Sequence, residues 1–185
     1  MDEIVKQAML KWPNVPACSG WLGLDARGQW WLRDEQAQAC GAFASGKPGS
    51  KGNLLQHDKL AEFIGRNYLV EPDGRWYFQN GPQRVYVELE SAPWIWRLRY
   101  AEHGLQLHSH TGQELAAEQV AQVLLDEQGR LFLALPQGLG MVHSLDMLDA
   151  ANALESGALP EAREMESALL PLQFGFVVSP QDYQV

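Results

Sequence analysis

The sequence predicts an α+β protein of two similar subdomains, residues 1–103 and 104–185, each a curved antiparallel sheet of hairpins and meander packed with a helix. Three observations predict it. A cassette recurs as LDARGQWWL from Leu24, VEPDGRWYF from Val70 and LDEQGRLFL from Leu125: apolar, acidic, two variable residues, Gly, Gln or Arg, then three large apolar residues. Between Asn67 and His110, short runs rich in β-branched and aromatic residues alternate with turn residues. Two stretches, LLQHDKLAEFIGR and SLDMLDAANALESG, carry apolar residues at helical spacing instead.

In chain order, Glu3 to Lys11 reads as a short opening helix. Each cassette reads as a β-hairpin, because Gly28, Gly74 and Gly129 stand where a tight turn needs positive φ and the apolar run that follows suits a pleated surface. Their spacings of 46 and 55 residues fit tandem subdomains and exclude a short solenoid coil. The segment Gly41 to Asn53, rich in Gly, Ser and Lys, is a loop placed to cover a site or to connect. After it, Leu60, Phe63 and Ile64 form one helical stripe behind Asp58.

The run RVYVELE alternates cleanly: Val85, Val87 and Leu89 point one way, and Tyr86, Glu88 and Glu90 point to a wet face. The helix from Ser144 is expected to present Leu145, Leu148 and Leu154 to a core before Gly157 stops it. The tail reads as an acidic helical stretch, EAREMESALL, followed by a final strand in LQFGFVV.

With 46% hydrophobic residues and seven Trp, the 185 residues can bury a core without staples, and Cys18 and Cys40 are expected as free thiols. The net charge of −9 and the lack of a Lys/Arg run exclude a phosphate-tracking surface, so no nucleic-acid partner is expected. Apolar runs fall short of the roughly 18 residues that a membrane span needs. Asp2 and Glu3 stand where an export signal carries positive charge, so a cytoplasmic location is expected.

The run GRWYFQNGPQRVYVELESAPWIWRLR, with LQLHSHTGQEL and GLGMVHSLDMLDAANAL after it, resembles a bacterial family known only as a domain of unknown function. Gly28 and Trp30 look like that family's opening G-x-W turn, and Leu60 with Phe63 and Ile64 like its helix. Val85, Val87, Glu88 and Ala92-Pro93-Trp94 look like its V-E-D-A-P-F strand and corner. Gln83-Arg84 replaces a Glu-Lys of the pattern, and His110 and Gln113 replace an Asn and an Asp. The resemblance covers about residues 20 to 155. It implies two similar α+β subdomains with a role in sensing or regulation, and no established reaction.

For chemistry, three readings compete. The aromatic set splits between sheet faces, so some rings are expected to line a site; the ligand-binding candidates are Trp76, Tyr86, Trp94 and Trp96 with Arg84 and Arg97. This makes a non-catalytic module for an unidentified small molecule or protein partner, with no cofactor. The second reading is a metal-dependent, cupin-like enzyme in which His108 and His110, two apart on a strand, combine with Glu114 and His143. Against it, the flanking glycines of the cupin pattern are Glu102 and Ala121 here. The third reading joins two copies as a homodimer through the aromatic strand surface. Neither cysteine lies in a nucleophile elbow, and no phosphate-cradling glycine motif occurs.

Overall fold

The computed structural model describes residues 1–101 and 104–182. It is an α+β chain of two similar units, each built on one mixed, mainly antiparallel sheet. Unit 1 comprises Met1–Asp25, Gln29–Ser91 and the C-terminal segment from Gly175; unit 2 comprises Ala26–Gly28 and Ala92–Phe174. The change of unit thus falls between Ser91 and Ala92. The expected dividing point, His103, lies outside the described residues.

Unit 1 contains α1 (Glu3–Lys11), β1 (Cys18–Leu24), β2 (Trp30–Leu32), α2 (Glu35–Cys40), β3 (Asn53–Leu54), α3 (Asp58–Arg66), β4 (Tyr68–Val70), β5 (Trp76–Asn80) and β6 (Gln83–Leu89). Unit 2 contains β7 (Trp94–Ala101), β8 (Gly104–Ser109), β9 (Glu114–Ala116), β10 (Gln122–Leu125), β11 (Leu131–Leu135), β12 (Gly138–Val142), α4 (Met147–Glu155), β13 (Ala162–Glu164) and α5 (Leu170–Phe174). Among the described residues, no helix is long and apolar enough to cross a membrane.

The strand orders are β3-β2-β1-β6-β5-β4 and β9-β8-β7-β12-β11-β10-β13. They are the same topology twice, with a parallel pair at the centre of each (β1 with β6, β7 with β12) and one extra edge strand in the second. Register makes the equivalence residue by residue. Tyr68↔Phe78 in β4–β5 becomes Val123↔Leu133 in β10–β11, and Asn80↔Gln83 becomes Leu135↔Gly138, a constant offset of 55 residues. The cassettes at Gly74 and Gly129 are therefore true equivalents. The cassette at Gly28 belongs to a different hairpin, β1–β2, whose counterpart is β7–β8.

All three cassette glycines hold the positive φ that the turns require, and the acidic residue has a local reason. Asp25 accepts from the Gln29 amide at 2.8 Å and the Trp31 indole at 2.9 Å. Asp126 accepts from the Arg130 amide at 2.8 Å and its guanidinium at 2.6 Å. These buried carboxylates close their own turns, an arrangement typical of Asp in turns.

Sheet 1 curves strongly. Trp30 on β2 and Tyr68 on β4 are separated by three strands, yet their rings meet edge to face at 5.3 Å. Inside the curve lie Leu22, Leu24, Trp76, Val87 and Leu89, with Ile64 of α3 against them. The outer face, expected to be wet, is also covered: Glu88 is buried and accepts from the Ser179 hydroxyl at 2.6 Å and the Gln181 amide at 3.0 Å. Two further expectations change. The tail forms its strand in Ala162–Glu164, parallel to β10, and its helix in Leu170–Phe174. In α4 the small Ala150 and Ala153 are the buried residues, while Leu148 and, in the turn before the helix, Leu145 lie exposed, because small side chains let a helix approach β7 closely.

One side chain ties unit 1 together. The fully buried Arg33 donates from Nε to Ser50 O at 2.8 Å, and from its two terminal nitrogens to Gly20 O at 3.2 Å and Gly41 O at 2.6 Å. Removing it leaves three carbonyls without their donor, so Arg33→Met is expected to cost about 3–5 kcal/mol in chemical denaturation. Arg33→Lys, whose single ammonium cannot span the fork, loses most of that stability as well. A loss below about 1 kcal/mol for both, the range of exposed ion pairs, contradicts this role.

Candidate functional site

The aromatic and charged candidates do not converge. On β7, Trp94 and Trp96 are 3% and 0% exposed, stacked at 5.9 Å, and belong to the core of unit 2. At that burial neither ring presents an open face. Arg97 makes a bidentate bond to Asp146, at 2.5 and 2.8 Å, and the Leu98 amide donates to the same carboxylate at 3.0 Å. Burial pushes the Asp146 carboxyl up, but these three donors outweigh it and hold it below its ordinary value. Arg97 is therefore committed to holding the turn before α4.

In unit 1, Trp76 is buried against Tyr68 inside the curve, with ring centroids 4.8 Å apart. Tyr86 lies on the opposite face, edge to face with Tyr77 at 6.1 Å and with the Arg75 guanidinium 4.5 Å above its ring. Arg84 stands over Tyr77 and pairs with Glu71 at 2.9 Å, while Arg75 pairs with Asp73 at 2.8 Å. An anion arriving there has to displace a carboxylate from either cation. The cluster is a self-neutralised cover on the tyrosines.

The four metal candidates also separate. His108 meets Glu114 across β8–β9 at 3.2 Å, on a half-exposed face. The strand ends at Ser109, whose hydroxyl accepts from the amides of Thr111 and Gln113, so His110 leaves the pleat that was expected to align the two imidazoles. His110 Nδ1 accepts from the Ile95 amide at 3.3 Å, and burial pushes its pKa down to about 3. His143 Nδ1 accepts from the Leu145 amide at 3.1 Å. Among the described residues, no three His, Cys, Asp or Glu side chains group to hold a metal ion.

Among the described residues, a cavity of about 590 Å³ lies beside α1, and a more apolar groove of about 420 Å³ lies at the mouth of the curved sheet of unit 1. The groove falls within the range of small-ligand pockets, roughly 300–1,000 Å³. Its apolar walls are Leu22, Leu32, Phe78 and Val85 from the inner face, with Leu60 and Ile64 from α3. Trp21 stands at the opening, 44% exposed, as does Leu32. Asn53 and Asn80, both exposed, complete the lining. Of the charged lining groups, Arg33 is spent on carbonyls and Asp34 caps α2 through the Ala37 amide at 2.8 Å.

The groove exists because β1 is irregular. Between Cys18↔Val85 and Leu22↔Val87 the strand advances four residues against two on β6, a bulge centred on Gly20 at φ 82°. Arg33 fixes this bulge twice, through the Gly20 carbonyl and through its own amide donating to Trp21 O at 2.9 Å. The equivalent stretch of unit 2 is regular: Trp94 pairs with Gly140 and Trp96 with Val142, so Trp96 takes the place of Leu22 and Gly140 that of Val85. The Trp96 indole lies over Gly140, where a Cβ would collide with the ring. One repeat fills its mouth with its own side chains, and the other leaves it open. The sequence carried a single signal for this, the Cys18-Ser19-Gly20-Trp21 run at the head of β1, which alternation alone does not read.

The model of the family DUF2944, described as Protein of unknown function (DUF2946), matches residues 1–181, and the chain belongs to that family. No curated protein matches the chain. Among solved structures, a DUF1285 family protein from Silicibacter pomeroyi DSS-3 is similar in fold, with a TM-score of 0.53 and 13% identity over 82% of this chain and 84% of that one. A DUF1285 family protein from Shewanella baltica OS155 gives a TM-score of 0.48 and 16% identity over 76% of this chain and 97% of that one.

Two measurements check this geometry. His110 is held neutral down to about pH 3, whereas in the unfolded chain it takes up a proton near 6.5. Stability is therefore lost as pH falls from 6.5 toward 3, at up to about 1.4 kcal/mol per unit. His110→Gln is expected to flatten that slope in denaturation curves at pH 7, 5.5 and 4.5; parallel slopes contradict it. Gly140→Ala forces the stacked indoles apart and is expected to cost about 1–3 kcal/mol, whereas an unchanged midpoint means that the mouth of unit 2 is loosely filled.

Proposed function

We propose that this member of a family of unknown function is a non-catalytic binding module that takes a small apolar ligand into the mouth of its first repeat, in a sensing or regulatory role in the cytoplasm. The observation that carries the reading is the open groove itself. Apolar side chains of Trp21, Leu32 and Leu60 remain exposed around it, although one nine-residue helix and a six-stranded sheet were available to cover them. Burying such surface on a ligand is favourable by roughly 25 cal/mol per Å².

The polar groups favour binding over catalysis. Asn53 and Asn80 orient a ligand by hydrogen bonds and carry no proton to transfer near neutrality. Cys18, on the same strand as Trp21, is half-buried, and burial pushes its thiol up, away from the thiolate that a nucleophile needs. What supports a regulatory role is that the C-terminal segment and the Gly41–Asn53 loop are tied to Arg33 beside the groove, where occupancy can be read out by the segments packed around it.

The test is a panel of neutral apolar fragments, aliphatic and aromatic in equal number, titrated into the ¹⁵N-labelled protein. Saturable shifts of the Trp21 indole and the Asn53 and Asn80 carboxamide signals are expected. In Leu32→Asp with Leu60→Lys, two exposed positions, affinity is expected to fall at least tenfold. Absence of saturable shifts from every fragment, or equal binding by the variant, overturns the reading.

A further inference from the structure

We infer that the cavity beside α1 is a second ligand site of unit 1, and that it takes an anion with an apolar body, a carboxylate on an alkyl chain. The inference stands apart from the groove, since the two share no lining residue. It rests on charge, on exposed apolar surface and on a frame that is already fixed.

The charge pattern is unusual for so acidic a chain. Of its 23 acidic residues, none falls within residues 4–24 or 74–87, and these two stretches supply every lining residue except Met1. The charged lining groups are Lys6 and Arg84, both cations. The other polar one, Gln79, is neutral and donates its Nε2 to Gly81 O at 2.8 Å. A third cation, Lys11, stands 4.5 Å from the centre of the Trp12 ring. A cleft lined by one sign of charge, with walls of low dielectric, concentrates ions of the other sign, here against a net charge of −9.

The carboxylates that pair with these cations come from outside the lining. Lys6 meets Glu3 at 3.4 Å, with side chains 55% and 72% exposed. A pair so exposed is weak and is exchanged readily. Arg84 keeps Glu71 at 2.9 Å and adds its field, so Lys6 is the group that takes the head of the ligand. The body has Met9, Leu10, Trp12, Pro13, Val15 and Pro82 to lie against. Leu10, Trp12 and Val15 are exposed, and covering them with an alkyl chain is favourable. The unbranched Met9 adapts to the fit.

The frame is set before a ligand arrives. Val5 is buried, the Asp2 amide donates to Asn67 Oδ1 at 2.8 Å, and Arg66 pairs with Asp2 at 3.3 Å, which holds α1 to the end of α3. The Gln83 Nε2 donates to Pro16 O at 3.1 Å and holds the segment after α1 to β6. At about 590 Å³, the space between suits a whole small molecule.

The experiment titrates octanoate, 1-octanol and octyltrimethylammonium, each below its micelle concentration and at neutral pH, into the full ¹⁵N-labelled chain. The Trp12 indole signal is followed. Octanoate is expected to bind at least tenfold more tightly than 1-octanol, and the cationic chain more weakly than either. Lys6→Gln with Arg84→Gln is expected to bring octanoate down to the affinity of 1-octanol while 1-octanol binding is kept. Leu10→Ser, at an exposed position, is expected to weaken both. Equal binding of the three chains, or octanoate binding that survives the double variant, overturns the inference. Saturable octanoate shifts at Trp21 and Asn80 without one at Trp12 place the ligand in the groove; they overturn this inference and leave the groove reading standing. Binding to vesicles containing phosphatidylglycerol, with no saturable octanoate shift, makes this face a membrane contact and overturns it as well.

Discussion

The guanidinium of Arg33 is the fixed point of the first repeat. A charge that is 1% exposed is tolerated only when its donors are met, and here they reach carbonyls from three separate stretches: Gly20 in the bulge of β1, Gly41 after α2, and Ser50 in the glycine-rich loop. Burial pushes the Arg33 pKa down, and the nearby Glu88 opposes that shift. Glu88 in turn holds Ser179 and Gln181. One ion thus sets the bulge, the loop and the path of the C-terminal segment, and the width of the groove follows from the bulge.

The two repeats separate what hydrogen bonding decides from what side-chain volume decides. Their ladders have one topology and, from β4 to β6 and β10 to β12, one offset. Backbone groups paired in this way specify the path of the chain whatever the side chains are. Packing then diverges: Trp96 over Gly140 closes one mouth, and Leu22 beside Val85 leaves the other open.

Little of the candidate site was legible from residue types. Rings and guanidinium groups draw attention because they often make ligand contacts, yet most of those named are consumed internally. Arg97 is bound by Asp146, Arg84 by Glu71, and Trp94 donates its indole N–H to Gln137 O at 3.1 Å. His108 and His110 lost their common face when the Ser109 hydroxyl captured the following amides. The groove is lined instead by Leu, Val and Phe, residue types that fill any core. What distinguishes them is an absent neighbour, and absence has no sequence pattern.

By itself the sequence determined the local elements: the three cassette turns with their positive-φ glycines, the alternation of Val85, Val87 and Leu89, the α3 stripe ending in buried Ile64, and from these an α+β chain of two similar units. Each depends on neighbours a few residues away, where periodicity and turn chemistry act. Only the tertiary structure decided which cassettes are equivalent, why Glu88 is buried, why Leu145 and Leu148 face outward, and which mouth stays open. Those outcomes depend on partners far along the chain, such as Ser179 on Glu88 at a separation of 91 residues, and burial is set by what arrives from a distance.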